Sequence, residues 1–207
     1  MSIKEKLIII GAGGHGKVCA DIAKLCGYEN ISFLDDNTEG FFGGYEIIGK
    51  VLDYKEYLQD SCFFVAIGNG EIRRKFFETL EKDGAEIVSL IHPFTSIAED
   101  VQIGKGSAVM AGAVINSGTV IGKGSIINTC ASVDHDCALD DYVHVAVGAH
   151  VCGTVSIGKN VWVGAGSTVI NNVSICDDCF IGAGAVVVKD IDVPGKYVGV
   201  PAKIIER

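Results

Sequence analysis

The chain has 207 residues and a formal net charge of −9. This length allows one large or two small domains, and the acidic charge argues against a nucleic-acid binder because no basic stripe is available to neutralise phosphates. No apolar run reaches the roughly 18 residues of a membrane span, and the first residues lack a signal-peptide pattern. Eight cysteines in a chain of this size favour reduced thiols over a disulfide framework, so we expect a cytoplasmic protein.

The first 92 residues predict alternating strands and helices. Strands are predicted at residues 6–10, 31–34, 62–67 and 86–91, and helices at 18–25, 54–58 and 71–82. This alternation indicates a parallel α/β sheet. The pattern stops at His92-Pro93, so the sequence predicts one domain over residues 1–92 and a second over residues 93–207.

A glycine-rich loop follows the first strand. Gly11, Gly13 and Gly16 match G-x-G-x-x-G, and Asp35 lies about 20 residues later, where a ribose-binding acid is expected. About 90 residues hold only one mononucleotide-binding half, which argues against NAD. Because a helix amino terminus favours an anion, a nucleotide diphosphate attached to another group fits the loop better. The alternative is a structural turn that binds no ligand.

The second domain is dominated by a period of six. Every sixth residue is aliphatic, at Ile97, Ile103, Val109, Ile115, Ile121, Ile127, Val133, Leu139, Val145, Val151, Ile157, Val163, Val169, Ile175, Ile181 and Val187. This period predicts a repeat in which each hexad forms a short strand and a corner. Three hexads would close a triangular coil, with successive coils about 4.8 Å apart. We expect the aliphatic residue to point into the prism and the small residue two positions before it to let the chain turn.

The [LIV]-G-x4 repeats resemble those of the hexapeptide acyltransferase superfamily. A narrower resemblance is carried by residues 11–16 (GAGGHG), 33–36 (FLDD), 66–69 (AIGN), 127–129 (INT), 135–136 (HD), 144–149 (HVAVGA) and 199–203 (GVPAK). These segments look most like the sugar O- and N-acyltransferases, in particular the UDP-4-amino-sugar N-acetyltransferases of the bacillosamine pathway. The resemblance implies a left-handed parallel β-helix, although right-handed crossovers are the general rule. It also implies a homotrimer with active sites between neighbouring prisms, and acetyl-CoA as cosubstrate.

In that family the amino-terminal Rossmann-like half domain holds the sugar nucleotide. The resemblance therefore implies contacts to the nucleotide from the glycine loop and from the ends of the next two strands, namely Gly13, Gly14, His15, Asp35, Asp36 and Gly68. Asp35 and Asp36 would contact the uracil or the ribose. Arg73 is the nearest cation for a phosphate, with capping of a surface helix as the alternative.

Acetyl transfer to an amine needs a base, and His135 is the candidate. It lies two residues after the inward Val133, so it should leave the prism at an edge, and imidazole has a pKa suited to this task. A carboxylate on the other ring nitrogen would fix the tautomer. The resemblance implies Asp136 for this role, and Asp134 remains a rival. Asn128 is expected to orient the amine or acetyl group, and a backbone N–H of a neighbouring coil to meet the oxyanion.

Small residues stacked along one edge indicate a slot for the pantetheine arm of CoA. Ala165 and Ala183 are one coil apart and each precedes a glycine, although corners need small residues in any case. The resemblance favours CoA binding and implies a contact from His144. Lys189 or Lys203 could meet the CoA phosphates.

Three alternatives to a sugar-nucleotide N-acetyltransferase stay open. The same scaffold could O-acetylate sialic acid or a related sugar, or serve as a trimeric scaffold without catalysis. A metal hydratase of the carbonic anhydrase type would need three convergent histidines, and His135, His144 and His150 differ in hexad phase. We expect no resident metal, because Cys176 and Cys179 form an isolated C-x-x-C that packing explains.

Overall fold

The structure is a computed structural model that describes residues 6–206. The described chain divides into two compact units between His92 and Pro93. Each unit has its own core and is described by itself.

The amino-terminal unit is a six-stranded sheet with two helices. Its elements are β1 Lys6–Ile10, α1 Gly14–Leu25, β2 Asn30–Leu34, β3 Gly40–Phe42, β4 Tyr45–Ile47, a 3-10 helix Val51–Tyr57, β5 Ser61–Val65, α2 Gly70–Lys82, β6 Glu86–Ile87 and β7 Leu90–Ile91. The sheet order is β3-β4-β2-β1-β5-β6, with β7 outside this sheet, and all pairs are parallel except the β3–β4 hairpin. The aliphatic run Leu7 to Ile10 is fully buried because β1 is central and covered on both faces.

The sheet brings three loops to one edge. The glycine loop follows β1, Asp35 follows β2 and Gly68 follows β5, and parallel neighbours end at the same side of a sheet. Helix α2 is capped at its amino terminus by Asn69, whose side chain accepts a hydrogen bond from the Ile72 N–H at 3.0 Å. The same helix buries Arg73, Phe77 and Leu80, the residues on one face at helical spacing.

The sequence predicted this unit with three local errors. The β3–β4 hairpin was missed; Gly40 at the start of β3 and the two turn residues, Gly43 and Gly44, all have positive φ. The predicted helix at 54–58 is the earlier 3-10 helix Val51–Tyr57. The predicted strand at 86–91 is interrupted and forms β6 and β7.

The carboxy-terminal unit is a prism of two-residue strands. They are β8 Ser96–Ile97, β9 Gln102–Ile103, β10 Ala108–Val109, β11 Val114–Ile115, β12 Val120–Ile121, β13 Ile126–Ile127, β14 Ser132–Val133, β15 Ala138–Leu139, β16 His144–Val145, β17 His150–Val151, β18 Ser156–Ile157, β19 Trp162–Val163, β20 Thr168–Val169, β21 Ser174–Ile175, β22 Phe180–Ile181 and β23 Val186–Val187. Every third strand pairs in parallel, so that Val114 lies opposite Ser132 and Ser132 opposite His150. This register of 18 residues confirms the predicted three-hexad coil.

Three parallel sheets form the faces of the prism. The first contains β10, β13, β16, β19 and β22, the second β8, β11, β14, β17, β20 and β23, and the third β9, β12, β15, β18 and β21. Two further strands, β24 Lys196–Val198 and β25 Lys203–Glu206, extend the first sheet beyond β22.

The predicted inward positions form the core of the prism. From Val109 to Val187 these aliphatic residues are buried, whereas Ile97 and Ile103 in the first coil are partly buried. Full burial of one such side chain is worth about 1.5–3 kcal/mol, so the repeat itself supplies the stability of the unit.

The prediction about the corners was wrong. The small residues two positions before the inward position, such as Ser107 and Ala113, are buried inside the prism. The chain turns instead at the residue three positions after the inward one, which has positive φ at each corner from residue 106 to residue 184. A left-handed corner explains why Gly, Asn and Asp are frequent there.

Candidate active site

His135 and Asp136 form a pair on the turn that follows β14. The two residues lie at an edge of the prism, and their side chains are 58% and 67% exposed. Asp136 is the corner residue, with φ 56°. The backbone is fixed by the neighbouring coils, because the Asp136 N–H donates to the Ser117 carbonyl at 2.9 Å and the Thr154 N–H donates to the His135 carbonyl at 2.9 Å.

The imidazole is oriented by Asp136. Its Nδ1 lies 2.8 Å from Asp136 Oδ2, so an ionised carboxylate places the proton on Nδ1 and leaves the lone pair on Nε2. This hydrogen bond, and then the charge of Asp134, raise the pKa of His135 above its ordinary value. Asp134 itself is otherwise engaged, since its Oδ1 accepts from Asn116 Nδ2 at 2.7 Å and from the His135 N–H at 2.9 Å. Of the two rivals, the structure therefore places Asp136 on the ring.

A second cluster lies on the first face of the prism. Asn128 Nδ2 is 3.1 Å from His144 Nε2, and Asn128 Oδ1 accepts from the Thr129 N–H at 2.8 Å. The His144 ring lies 4.2 Å from that of Trp162, which in turn stacks on Phe180 at 6.0 Å. The side chain of His144 is only 5% exposed. Its contact to acetyl-CoA stays a prediction.

The aromatic column was missed from the sequence. Its members, residues 144, 162 and 180, are spaced by 18, and the strand register places them directly above one another. The coil length alone therefore was a sufficient signal for it.

The predicted CoA edge is open in the structure. Ala165 and Ala183 are exposed, and a Cβ added to Gly166 or Gly184 would meet no atom within 4 Å. Both glycines have positive φ, so the corner conformation by itself accounts for them. Lys189 and Lys203 line one groove of about 280 Å³, at the last coil. CoA binding at this edge stays a prediction.

The glycine loop forms the amino terminus of α1. A Cβ on Gly16 would collide with the Gly11 carbonyl, which makes glycine obligatory there. Gly13 and Gly14 are exposed, and a Cβ on either would meet nothing within 4 Å. The exposed backbone at a helix amino terminus is suited to a phosphate.

Asp35 and Asp36 both bind backbone of their own unit. Asp35 Oδ2 accepts from the Ala12 N–H at 2.8 Å, which ties the glycine loop to the end of β2. Its Oδ1 accepts from two further N–H groups at 2.8 Å, and these donors outweigh burial and hold the pKa of Asp35 below its ordinary value. Asp36 Oδ1 accepts from the Val51 N–H at 2.9 Å. Both carboxylates thus fix loops, and their predicted contact to the nucleotide stays a prediction.

The expectation for Arg73 needs correction. Its side chain is 1% exposed and Nη1 donates to the carbonyls of Ile67 and Gly68, at 2.9 and 2.8 Å. It therefore neither caps a surface helix nor presents an exposed cation to a phosphate. Its charge acts on His15, because burial and then Arg73 lower the pKa of His15 to about 4. His15 is consequently neutral near pH 7, with Nε2 3.7 Å from the buried Cys19 Sγ.

Within residues 6–206, no group of three or more His, Cys, Asp or Glu side chains is arranged to hold a metal ion. Cys176 and Cys179 approach each other with their Sγ atoms 3.5 Å apart. None of the helices in the described part of the chain combines the length and apolarity needed to cross a bilayer.

A hexapeptide prism with a histidine–carboxylate pair at its edge defines a hexapeptide-repeat acyltransferase. Residues 6–80 match the model of the PglD N-terminal domain, and residues 154–189 match that of the bacterial transferase hexapeptide repeat. The GDP-perosamine N-acetyltransferase of Escherichia coli O157:H7 is 30% identical over 161 residues, which are 74% of this chain and 73% of that protein. The UDP-N-acetylbacillosamine N-acetyltransferase of Bacillus subtilis (strain 168) is 34% identical over 112 residues, 52% of each.

A solved structure extends the match to nearly the whole chain. The acetyltransferase domain of PglB from Neisseria gonorrhoeae FA1090, in complex with acetyl coenzyme A, is 41% identical with a TM-score of 0.96, covering 98% of this chain and 100% of that one. The chain belongs to the family of sugar-nucleotide N-acetyltransferases that join a PglD-type N-terminal domain to a hexapeptide prism. The predicted family, the left-handed β-helix fold and the acyltransferase class are confirmed, and acetyl-CoA is the cosubstrate seen in this relative.

Proposed function

We propose that this enzyme transfers the acetyl group of acetyl-CoA to the 4-amino group of a nucleotide-linked amino sugar, with His135 as the general base. The single observation that carries the proposal is the exposed imidazole of His135, held at Nδ1 by Asp136 with Nε2 left to accept a proton. Two relatives that act on nucleotide-linked sugars, named for GDP-perosamine and UDP-N-acetylbacillosamine, support the substrate class.

The proposed reaction is a direct transfer without a covalent enzyme intermediate. The neutral sugar amine attacks the thioester carbonyl and forms a C–N bond, while Nε2 of His135 takes one proton from the nitrogen. Asp136 stabilises the imidazolium that results. When the tetrahedral intermediate collapses, the C–S bond breaks, and the departing CoA sulfur receives the proton from the imidazolium. A backbone N–H of a neighbouring coil would stabilise the oxyanion.

The amino-terminal unit is proposed to bind the nucleotide. Gly13 and Gly14 offer exposed backbone at the start of α1 for the diphosphate. His15, neutral near pH 7, would act there as a hydrogen-bonding group and not as a cation. Gly68 lies at the same edge of the sheet. We propose UDP as the nucleotide, because the FLDD and AIGN segments resemble those of the bacillosamine-pathway enzymes.

The assembly and the compartment are part of the proposal. We propose a homotrimer with active sites between neighbouring prisms, which equilibrium sedimentation would test directly. The eight cysteines of the chain are all free in the structure, which supports a reducing, cytoplasmic setting.

The experiment is a substrate panel read as free thiol release from acetyl-CoA. The acceptors are a UDP-linked 4-amino sugar, a GDP-linked 4-amino sugar and sialic acid, each checked for acetylated product by mass spectrometry. Turnover with the UDP-linked amine alone supports the full proposal. Turnover with the GDP-linked amine alone changes only the nucleotide of the proposed substrate, from UDP to GDP. Turnover with sialic acid alone would refute N-acetylation in favour of an O-acetyltransferase.

A further inference from the structure

Gly153 lies against the imidazole of His135. It occupies the equivalent position one coil further along, 18 residues after His135, and it is buried. A Cβ built on Gly153 would lie 2.6 Å from Nε2, 2.7 Å from Cε1 and 3.1 Å from Cδ2 of the ring. Real Cβ atoms essentially never approach another heavy atom below 3.0 Å. The ring thus occupies the space that any other residue would need for its side chain.

The backbone itself does not require glycine at this position. The left-handed corner of this hexad is the next residue, Thr154 with φ 60°, and Gly153 has no positive φ. The same position in the other hexads carries a side chain every time, at Glu99, Lys105, Ala111, Ser117, Lys123, Thr129, His135, Asp141, Val147, Lys159, Ala165, Asn171, Asp177, Ala183 and Lys189. Glycine therefore occurs at this repeat position only where the imidazole lies against it.

We propose that Gly153 is a positioning residue, whose missing side chain lets the imidazole of His135 lie with Nε2 against the next coil while Nδ1 stays on Asp136. The inference rests on the proposed role of His135 as the base. Besides the hydrogen bond with Asp136, this position of the ring requires that the residue at 153 leave the space beside it empty.

A methyl group at Gly153 would move the ring and not the coil. The Gly153 carbonyl accepts from the Asn172 N–H at 3.1 Å, and the His135 carbonyl accepts from the Thr154 N–H at 2.9 Å, so both backbones are held in the ladder. The imidazole, in contrast, is an exposed side chain that can rotate. Rotation would remove Nδ1 from its 2.8 Å hydrogen bond with Asp136 and displace Nε2 from the reacting amine. A displacement of about 1 Å can cost on the order of 100-fold in rate.

The test is a double-mutant cycle of Gly153→Ala and His135→Ala in the full chain. The acceptor is whichever of the UDP- and GDP-linked 4-amino sugars the wild type acetylates faster. We expect Gly153→Ala to lower kcat by roughly 10- to 100-fold. The Kd for CoA, measured by calorimetry, should change less than about 2-fold, because the ring and not the binding surface is displaced.

The cycle separates positioning from a general structural defect. In the His135→Ala background no ring is present, so adding Gly153→Ala should change neither the residual rate nor Tm. Any loss of Tm in Gly153→Ala alone should likewise disappear in the double mutant. A Gly153→Ala enzyme with wild-type kcat, or the same loss of rate with and without the imidazole, would overturn the inference. If His135→Ala itself keeps full activity, the proposed function fails, which is a different result.

Discussion

A buried hydroxyl holds the turn that carries the proposed catalytic pair, His135 and Asp136. Thr119 is fully buried, and its Oγ1 donates to the Asp134 carbonyl at 2.7 Å and accepts from the Cys137 N–H at 3.2 Å. These two backbone groups lie on either side of His135 and Asp136. Thr119→Val keeps the shape of the side chain and removes both hydrogen bonds, so it loosens the turn from inside the prism without touching the pair.

The size of the effect follows from these two bonds. The loss of each bond leaves one buried backbone group, the Asp134 carbonyl or the Cys137 N–H, without this partner. Such a group costs about 1–3 kcal/mol. Taking about 1–1.5 kcal/mol for each of the two groups, the low end of that range, we expect Thr119→Val to lower the free energy of unfolding by about 2–3 kcal/mol. For a chain of this length the Tm should fall by roughly 4–12 °C. With the turn relaxed, kcat should fall by about 10-fold or more at a temperature where the variant is fully folded.

Ser107 supplies a matched control. Its Oγ donates to the Gly122 carbonyl at 3.1 Å and accepts from the Ser125 N–H at 3.1 Å, the same bridge at sequence separations of 15 and 18 residues. Because neither His135 nor Asp136 lies on that turn, Ser107→Ala should lose comparable stability and keep the wild-type kcat. The assays are thermal unfolding and thiol release. Equal kcat values for the two variants, whether both high or both low, would refute the reasoning.

Two further predictions concern pH. The pKa of His135 is raised by Asp136 and then by Asp134, and the base acts in its neutral form, so kcat should rise with pH through a pKa above 6.5. Asp136→Asn should move this acidic limb to lower pH and lower the plateau by roughly 10- to 100-fold, and an unmoved limb in the pH–rate profile would contradict the assignment. The pKa of His15 is about 4 in the folded state and 6.5 in the unfolded state. As the pH falls, the unfolded state therefore binds a proton at His15 before the folded state does. The free energy of unfolding should therefore drop by up to roughly 3 kcal/mol between pH 6.5 and 4, a drop that denaturant titrations of His15→Gln should lack.

The prism was predictable because its pattern is one-dimensional. Each hexad meets only its neighbours one coil away, so a period of six together with a coil of three hexads determines which residues stack. The same arithmetic placed His135 at an edge and its neighbour Asp136 within reach. It also would have identified Gly153 and Trp162, since both lie 18 residues from a histidine of the site.

The amino-terminal unit was harder because its side chains serve partners that are distant in sequence. The sequence predicts Asp35 as a ligand-binding acid. Only the folded loop shows that its carboxylate accepts a hydrogen bond from the Ala12 N–H, 23 residues away. The sequence predicts Arg73 as a surface cation on an amphipathic helix. In the structure its guanidinium donates hydrogen bonds to carbonyls five and six residues earlier. The β3–β4 hairpin was missed because strands of three residues are too short for an alternation to be seen.

The most direct test of the central claim is the rate of acetyl transfer in His135→Ala, measured at saturating acetyl-CoA and amino-sugar nucleotide. CoA binding and Tm are measured alongside. We expect kcat to fall by about 10²- to 10⁴-fold, with CoA affinity and the fold retained. A variant that binds CoA, stays folded and still transfers acetyl groups at the wild-type rate would contradict it, because the amine would then lose its proton to another group.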